Sequence, residues 1–139
     1  MFITRKAEFS ASHVCRVPSW SDEANREVYG DAANEYGHGH NYIIEVTVAG
    51  DPDPVTGMVV DLKHLKDILE REIVQPMDHR FLNYEVKPFD RVPPTAENIA
   101  LEIWARLQNQ LALPARLHRV RLYETEDHFV DVTSEDFDT

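Results

Sequence analysis

The sequence predicts one α+β domain of 139 residues, in which a four-stranded antiparallel sheet carries two helices on one face. Two segments of alternating apolar and polar residues come first, two segments of helical periodicity follow, and two more alternating segments end the chain. Hairpins on either side of a helix pair are typical of an antiparallel sheet whose helices lie together. A chain of this length buries about 68–70% of its unfolded surface, which is enough for one core.

The first two predicted strands cover residues 2–10 and 40–50. In the first, His13 continues the apolar face if the chain stays extended past residue 10. Between the strands, residues 14–37 are polar and irregular, and they predict a long loop with room for a short helix. Loops of this length in compact domains are often functional. The apolar faces of the two strands are formed by Ile3, Ala7 and Phe9, and by Tyr42, Ile44, Val46 and Val48.

Two helices are predicted next. The first begins after Asp61, a good N-cap, and ends at Pro76. Residues 77–94 are predicted to be loop, and Thr95 is the N-cap of the second helix. The apolar stripes are Leu62, Leu65, Leu69 and Ile73 in the first helix, and Ile99, Ile103, Leu107 and Leu111 in the second.

The chain closes with a predicted hairpin, residues 117–125 and 128–133, around the turn Glu126-Asp127. A four-stranded sheet has two open edges, and open edges are a liability unless they are paired or covered. We therefore expect a closed homo-oligomer in which neighbouring subunits pair these edges.

The composition excludes several classes of function. The formal net charge of −11 argues against general affinity for nucleic acid, which needs a positive surface. No apolar run is long enough to span a bilayer, and the first residues contain no secretion signal, so we expect neither membrane insertion nor export. With a single cysteine, Cys15, the chain has no internal disulfide, and we expect a cytoplasmic protein.

Three histidines form the strongest chemical signal. His38 and His40 are two residues apart in Gly-His-Gly-His, so an extended chain presents both rings on one face. His13, at the end of the first strand, supplies a third imidazole. Three imidazoles are a known catalytic zinc site, whose fourth position stays open for water or substrate. The alternative is that they are ordinary surface or core histidines, as isolated histidines usually are.

Asp78-His79 and the start of the second helix offer further candidates. A carboxylate beside an imidazole fixes its tautomer and poises it for proton transfer, although the pair can equally be an ordinary loop feature. Thr95 can act simply as an N-cap, and Glu97 as a first-turn acid that the helix dipole favours.

For three further residues, the sequence leaves the role undecided. Glu124 lies in line with a core face, where a carboxylate needs a hydrogen-bonding partner such as the ring edge of a guanidine-like ligand. Glu35 is either a solvated loop acid or, if desolvated near the histidines, a general base or acid. Cys15 is either a thiolate near the metal or a small buried apolar residue, and we favour the second interpretation.

Six segments, taken in order, resemble the 6-pyruvoyl-tetrahydropterin synthase family, which includes the 6-carboxy-tetrahydropterin synthases. They extend through nearly the whole chain. The segments are Phe9-Ser10-Ala11-Ser12-His13, Gly37-His38-Gly39-His40-Asn41-Tyr42, Asp53-Pro54-Val55-Thr56-Gly57-Met58-Val59, Pro76-Met77-Asp78-His79, Pro94-Thr95-Ala96-Glu97-Asn98 and Tyr123-Glu124-Thr125.

The resemblance implies a tunnelling fold whose subunits close a barrel, as a trimer or a hexamer of two trimers. It implies zinc on the three histidines and a pterin ring held by Glu124, with Thr95 and Glu97 nearby, in a pocket between subunits. The family's usual substrate is 7,8-dihydroneopterin triphosphate, and Asp78 and His79 match its proton-relay pair. Candidate triphosphate contacts are Arg16, Arg80 and Lys87.

One departure from the family concerns the catalytic base. Usual members carry a catalytic cysteine shortly before the Gly-His-Gly-His motif, whereas Ala32 or Ala33 occupies that place here. A family subgroup instead has Glu-x-x-His-Gly-His, as Glu35 provides, and is associated with cleavage to 6-hydroxymethyl-7,8-dihydropterin in folate synthesis. This lyase is the leading hypothesis. The alternatives are a 6-pyruvoyl- or 6-carboxy-tetrahydropterin synthase of the biopterin or queuosine route, with Cys15 or Glu35 as base, and a zinc- and pterin-binding protein without turnover.

Overall fold

A computed structural model describes residues 1–112 and 114–137, and its framework is a five-stranded sheet in the order β3-β1-β2-β4-β5. The strands are β1 (Phe2–His13), β2 (His38–Ala49), β3 (Arg80–Phe81), β4 (Arg116–Thr125) and β5 (His128–Thr133). The helices are α1 (Asp22–Tyr29), α2 (Leu62–Leu69), α3 (Gln75–Met77), α4 (Leu82–Glu85) and α5 (Ala96–Leu107). The predicted domain also includes residues 113, 138 and 139, which lie outside the described residues.

The four predicted strands are confirmed, and they pair antiparallel as β1-β2-β4-β5. Both strands of the first pair reach further than predicted. The β1–β2 ladder extends from Phe2 opposite Ala49 to His13 opposite His38, without a bulge. The histidines therefore lie within the ladder, at one end of the sheet, and the pairing fixes their directions.

The prediction of four strands was wrong by one. β3 contributes two residues that pair parallel to β1, Arg80 opposite Ala11 and Phe81 opposite Ser12. The His79 N–H donates to the Ser10 carbonyl at 2.6 Å and extends this contact. A two-residue strand is too short to leave a period-two pattern, so the sequence could not reveal it. β3 covers one end of the β1 edge.

The predicted helix starts are confirmed in detail. The Asp61 side chain accepts from the Lys63 N–H at 3.0 Å, and the Thr95 hydroxyl accepts from the Asn98 N–H at 3.2 Å. The first helical run does not stop at Pro76. It passes through a π-helical turn, Glu70–Val74, and ends at Met77. Pro76 lies in the first turn of the short last segment, Gln75–Met77, where proline is tolerated.

Residues predicted as loop also contain short elements. The segment 14–37 includes α1, as its predicted helix, and a 3₁₀ turn, Gly30–Ala33. The segment 77–94, predicted to be loop throughout, contains β3 and α4.

In the part of the chain that the structure describes, no helix is long and apolar enough to cross a membrane.

One hydrophobic cluster joins α2 and α5 to a single face of the sheet, as predicted. The largest fully buried side chains come from both layers: Tyr42, Phe9, Phe89, Ile44, Leu65, Ile68, Leu69, Ile73, Met77, Leu82, Ile99 and Ile103. The same face of β1 and β2 carries His13 and His40 at its end, so the core holds the strands that present the histidines.

We expect Ile103→Ala to lower the free energy of unfolding by about 2–5 kcal/mol, because the fully buried Ile103 side chain leaves a cavity between α5 and the sheet. Leu101→Ala on the same helix is the matched control. Leu101 is 39% exposed, and its loss should cost less than about 1 kcal/mol. Urea denaturation of both variants measures the difference, and equal losses would contradict this packing.

Candidate metal and active site

The three histidines lie together at the open end of the sheet. His13 is opposite His38, and Ala11 is opposite His40, in the β1–β2 ladder. Residues directly opposite each other point to the same face, so all three rings share the face of Phe9 and Tyr42. His13 is fully buried, whereas His38 and His40 are partly exposed. The predicted grouping of these histidines is thus present in the structure.

The ring nitrogens have the spacing of a metal site. His13 Nε2 lies 3.0 Å from His38 Nε2. Ligand atoms of His13, His38, His40 and Glu124 all lie within 4.8 Å of one another. Nitrogens that bind zinc tetrahedrally at about 2.0–2.1 Å stand about 3.3 Å apart. The cluster therefore needs only small adjustments to hold such an ion.

Glu124 is the fourth member of the cluster. Its Oε1 lies 3.0 Å from His40 Nε2 and 3.8 Å from His13 Nε2. Within residues 1–112 and 114–137, His40 Nε2 is nevertheless a buried atom with no hydrogen bond of acceptable geometry. A buried nitrogen without a partner is costly, and a cation between these atoms would satisfy it. The donor set of three imidazoles and one carboxylate fits zinc.

Burial favours the neutral form of two of the rings, His13 and His40. Burial lowers the pKa of His13, as do the neighbouring rings of His38 and His40, against the Pro94 carbonyl and Glu124. The pKa of His40 is lowered mainly by burial as well, and Glu124 opposes this shift. At neutral pH these rings are therefore uncharged, and a neutral imidazole is the form that coordinates a metal.

A backbone carbonyl orients the buried ring. His13 Nδ1 donates to the Pro94 carbonyl at 2.7 Å, which leaves Nε2 for the cluster. Such a bond fixes the tautomer and direction of a metal-binding histidine. The sequence could not indicate this contact, because Pro94 lies 81 residues further along the chain and acts through its main chain.

The Asp78-His79 pair is formed as predicted. His79 Nδ1 lies 2.9 Å from Asp78 Oδ2, and Asp78 Oδ1 accepts from the Ser10 N–H at 2.8 Å. The Ser10 N–H is the main reason why the pKa of Asp78 is lowered, so this carboxylate stays ionised at neutral pH. His79 has a positive φ of 60° and a side chain that is 84% exposed. A non-glycine residue held at positive φ is strained, and such strain concentrates at functional sites.

Within one chain, His79 lines a groove on the opposite face of the sheet from the histidine rings. Ser10 is opposite Asn41 and Ser12 is opposite Gly39, on the face away from the core. These residues line a groove of about 480 Å³. Its other lining residues are Ala11, His40, His79, Arg80, Phe81 and Glu85. In the described residues, no hydrogen bond or ion pair joins Asp78 or His79 to the histidine cluster.

Thr95 and Glu97 lie at the start of α5, next to Pro94. Thr95 is half-buried, and its hydroxyl caps the helix. Glu97 is exposed, but its charge and that of Glu124 both reach Cys15 and raise the pKa of that thiol. The structure thus brings Thr95 next to the carbonyl that holds His13, while Glu97 makes no hydrogen bond to the cluster within the described residues.

Glu35 is exposed and stands at the junction of two clefts, each about 330 Å³. Arg16 lines both clefts with it. In the part of the chain that the structure describes, Glu35 forms no hydrogen bond or ion pair, so its carboxylate is available to a ligand. It lies on the loop just before β2, three residues ahead of His38.

Cys15 is buried on the Nδ1 side of His13. Its Sγ lies 3.9 Å from His13 Nδ1 and 4.0 Å from the Pro94 carbonyl oxygen. Burial, followed by the charges of Glu124 and Glu97, raises the pKa of the thiol to about 11. The group is therefore a protonated thiol at neutral pH, and it faces away from the nitrogen that points into the cluster.

We expect Cys15→Ala to leave catalytic turnover unchanged and to lower the free energy of unfolding by about 1 kcal/mol, because a small buried side chain is trimmed. Steady-state kinetics and urea denaturation measure the two effects. A loss of turnover of about 10²-fold or more, the size expected for a proton-transfer group, would instead place this thiol in the chemistry.

Comparisons with known proteins agree with the fold and the motifs. The family model for 6-pyruvoyl tetrahydropterin synthase matches residues 2–135. The chain is 48% identical over 130 residues to the 6-pyruvoyl tetrahydrobiopterin synthase of Poecilia reticulata, covering 93% of this chain and 87% of that protein. It is 32% identical over 130 residues to the dihydroneopterin monophosphate aldolase of Pyrococcus furiosus, covering 94% of this chain and 95% of that protein. The structure of the 6-pyruvoyl tetrahydropterin synthase of Caenorhabditis elegans matches with a TM-score of 0.91 and 33% identity, covering 96% of this chain and 95% of that one.

Proposed function

This chain belongs to the 6-pyruvoyl tetrahydropterin synthase family, and on that premise we propose that it is a zinc-dependent lyase acting on 7,8-dihydroneopterin triphosphate. The observation that carries this proposal is the cluster of His13, His38 and His40 beside Glu124. Three imidazoles at the open end of a sheet suit a catalytic zinc, which keeps one position for substrate. When bound there, zinc supplies Lewis-acid polarisation of the side-chain hydroxyls of the substrate.

Glu124, Thr95 and Glu97 are the residues that we propose for the pterin ring. The Glu124 carboxylate is 23% exposed and can accept from two neighbouring N–H groups of a pterin edge. Thr95 and Glu97 lie one and three residues after Pro94, which contacts His13. This placement would hold the ring beside the histidines, with its side chain directed at them.

Glu35 is the proposed base. Ala32 or Ala33 replaces the family's usual thiol, and Cys15 is buried as a protonated thiol, so neither of these positions supplies a base. The Glu35 carboxylate takes the proton of the hydroxyl on the second side-chain carbon, and the bond between the first and second carbons breaks. Asp78-His79 returns a proton to the first carbon. The products are 6-hydroxymethyl-7,8-dihydropterin and a phosphorylated two-carbon aldehyde.

The aldolase relative from Pyrococcus furiosus supports this cleavage, because its name describes side-chain cleavage of a phosphorylated dihydroneopterin. A second candidate is the synthase reaction, in which a carbon-bound proton is removed and inorganic triphosphate leaves. Relatives at 41–48% identity named 6-pyruvoyl tetrahydrobiopterin synthase favour that product. The two routes share the zinc site and the substrate, and they differ in which proton the base removes.

We further propose that the active unit is a homo-oligomer, a trimer or a hexamer, in the cytoplasm. His79 lines a groove on the face of the sheet away from the histidine rings, and Asp78 is paired with it. A relay pair that serves the cluster would then come from a second copy of the chain. The mostly uncovered outer edges of β1 and β5 are where such copies would pair.

The test is metal-dependent consumption of 7,8-dihydroneopterin triphosphate. We expect the zinc-loaded protein to consume the substrate, the chelator-treated protein to be inactive, and added zinc to restore the rate. If the fully zinc-loaded protein binds the pterin but consumes none over hours, the proposed enzymatic activity is wrong, and the protein is a pterin-binding protein without turnover.

A further inference from the structure

The segment Pro93-Pro94 connects the metal cluster to the start of α5. Its second carbonyl accepts the His13 Nδ1 hydrogen at 2.7 Å, and both Pro94 and His13 are buried. The direction of this carbonyl therefore decides which way the His13 Nε2 lone pair points. A contact that fixes the position of Pro93-Pro94 therefore also fixes the orientation of the His13 ring.

Prolines have no backbone N–H, so the main chain of this segment can form hydrogen bonds only through its carbonyls. The Pro93 carbonyl accepts two hydrogen bonds, from the Thr95 N–H at 2.9 Å and from the Asn98 side-chain amide at 2.9 Å. The Thr95 bond is local and spans only two residues. Asn98 ties the segment to the body of α5, which packs in the core.

Asn98 makes its two contacts from different parts of the residue. Its backbone N–H donates to the Thr95 hydroxyl at 3.2 Å and caps the helix, while its side chain reaches Pro93. A substitution of the side chain leaves the helix cap in place. The contact to Pro93 can therefore be removed separately.

We infer that Asn98 is a positioning residue for the metal centre, which acts through Pro93 and Pro94 to fix the direction of the His13 ring. The inference rests on the proposed function, because it takes His13 Nε2 as a zinc ligand. Partners that orient a metal-binding histidine are worth about 10–100-fold in metal affinity. Asn98 is one step further from the metal, and we expect about tenfold, at the lower end of that range.

Asn98→Asp is the test, because it keeps the shape of the side chain and turns the donor toward Pro93 into an acceptor. We expect zinc affinity, measured by competition with a chromogenic chelator, to fall about tenfold. The added negative charge alone would strengthen cation binding, so a loss has the opposite sign to a simple charge effect. Gln108→Glu makes the same amide-to-carboxylate change at the exposed end of α5 and should leave the affinity unchanged.

A second readout separates positioning from general destabilisation. In ¹⁵N-labelled protein, the His13 Nδ1 hydrogen should exchange with water faster in the variant than in the wild type. Asn98→Ala, which only removes the donor, should show the same effects if Asn98→Asp does not fold. Zinc affinity within twofold of the wild type in a folded variant would overturn the inference. A wild-type protein that binds no zinc would instead overturn the proposed function.

Discussion

Replacing His40 by alanine is expected to lower zinc affinity about 10²–10³-fold and to remove turnover. Apparent zinc binding energies of about 10–16 kcal/mol for structural sites with four ligands correspond to about 2.5–4 kcal/mol for each ligand, and each 1.4 kcal/mol is tenfold. Among the described residues His40 Nε2 has no hydrogen bond of acceptable geometry, and its 3.0 Å contact with Glu124 is an ion pair only if the ring is protonated, so removal of the ring costs the metal-free protein little. The loss should therefore appear in metal binding. Chelator competition and metal analysis of the purified variant measure it.

His64→Ala is the matched control for that experiment. His64 is exposed on α2, outside the cluster, and its loss should change neither zinc affinity nor turnover. If His40→Ala binds zinc as tightly as the wild type, the metal lies elsewhere in the protein, and the assignment of the cluster is wrong.

Replacing Glu35 by glutamine is expected to lower kcat by about 10²–10⁴-fold, the usual contribution of a general base. Glutamine keeps the size of the side chain but cannot take a proton. Glu35 makes no ion pair or hydrogen bond within the described residues, so the fold should not change. Zinc affinity and pterin affinity should also be preserved, because neither set of proposed ligands includes Glu35. Single-turnover kinetics with 7,8-dihydroneopterin triphosphate measures the chemical step.

Glu23→Gln provides the control for removal of one negative charge from the same region. Glu23 is exposed in the first turn of α1, and its variant should have wild-type kinetics. A Glu35→Gln protein with nearly wild-type turnover would remove this carboxylate from the chemistry and direct attention to the Asp78-His79 pair as the base.

The sequence predicted the grouping of the three histidines because local geometry determines much of it. Two residues that are i and i+2 on a strand must share a face, which places His38 and His40 together in any sheet. The apolar alternation of the first strand placed His13 on the apolar face of that strand. The β1–β2 register, which the sequence does not give, brings the two strands' histidines together by setting His13 opposite His38. The N-caps Asp61 and Thr95 were equally local signals.

The remaining features depend on contacts between distant segments. The Pro94 carbonyl beside His13 and the Ser10 N–H beside Asp78 are main-chain groups, which carry no signal in the sequence. β3 is formed by two residues, and its partner strand is almost seventy residues away along the chain. The direction of His79, on the face away from the cluster, follows from this long-range pairing. No periodicity in residues 77–94 could have revealed it.

The most direct test of the proposed cleavage is the identity of the pterin that the zinc-loaded wild-type protein makes from 7,8-dihydroneopterin triphosphate. Mass spectrometry identifies the pterin, and ³¹P NMR shows whether the phosphates leave on a two-carbon aldehyde or as inorganic triphosphate. We expect 6-hydroxymethyl-7,8-dihydropterin and the phosphorylated aldehyde, with Glu35 as the base. A 6-pyruvoyl or 6-carboxy product alone, with release of inorganic triphosphate, would contradict the proposed cleavage.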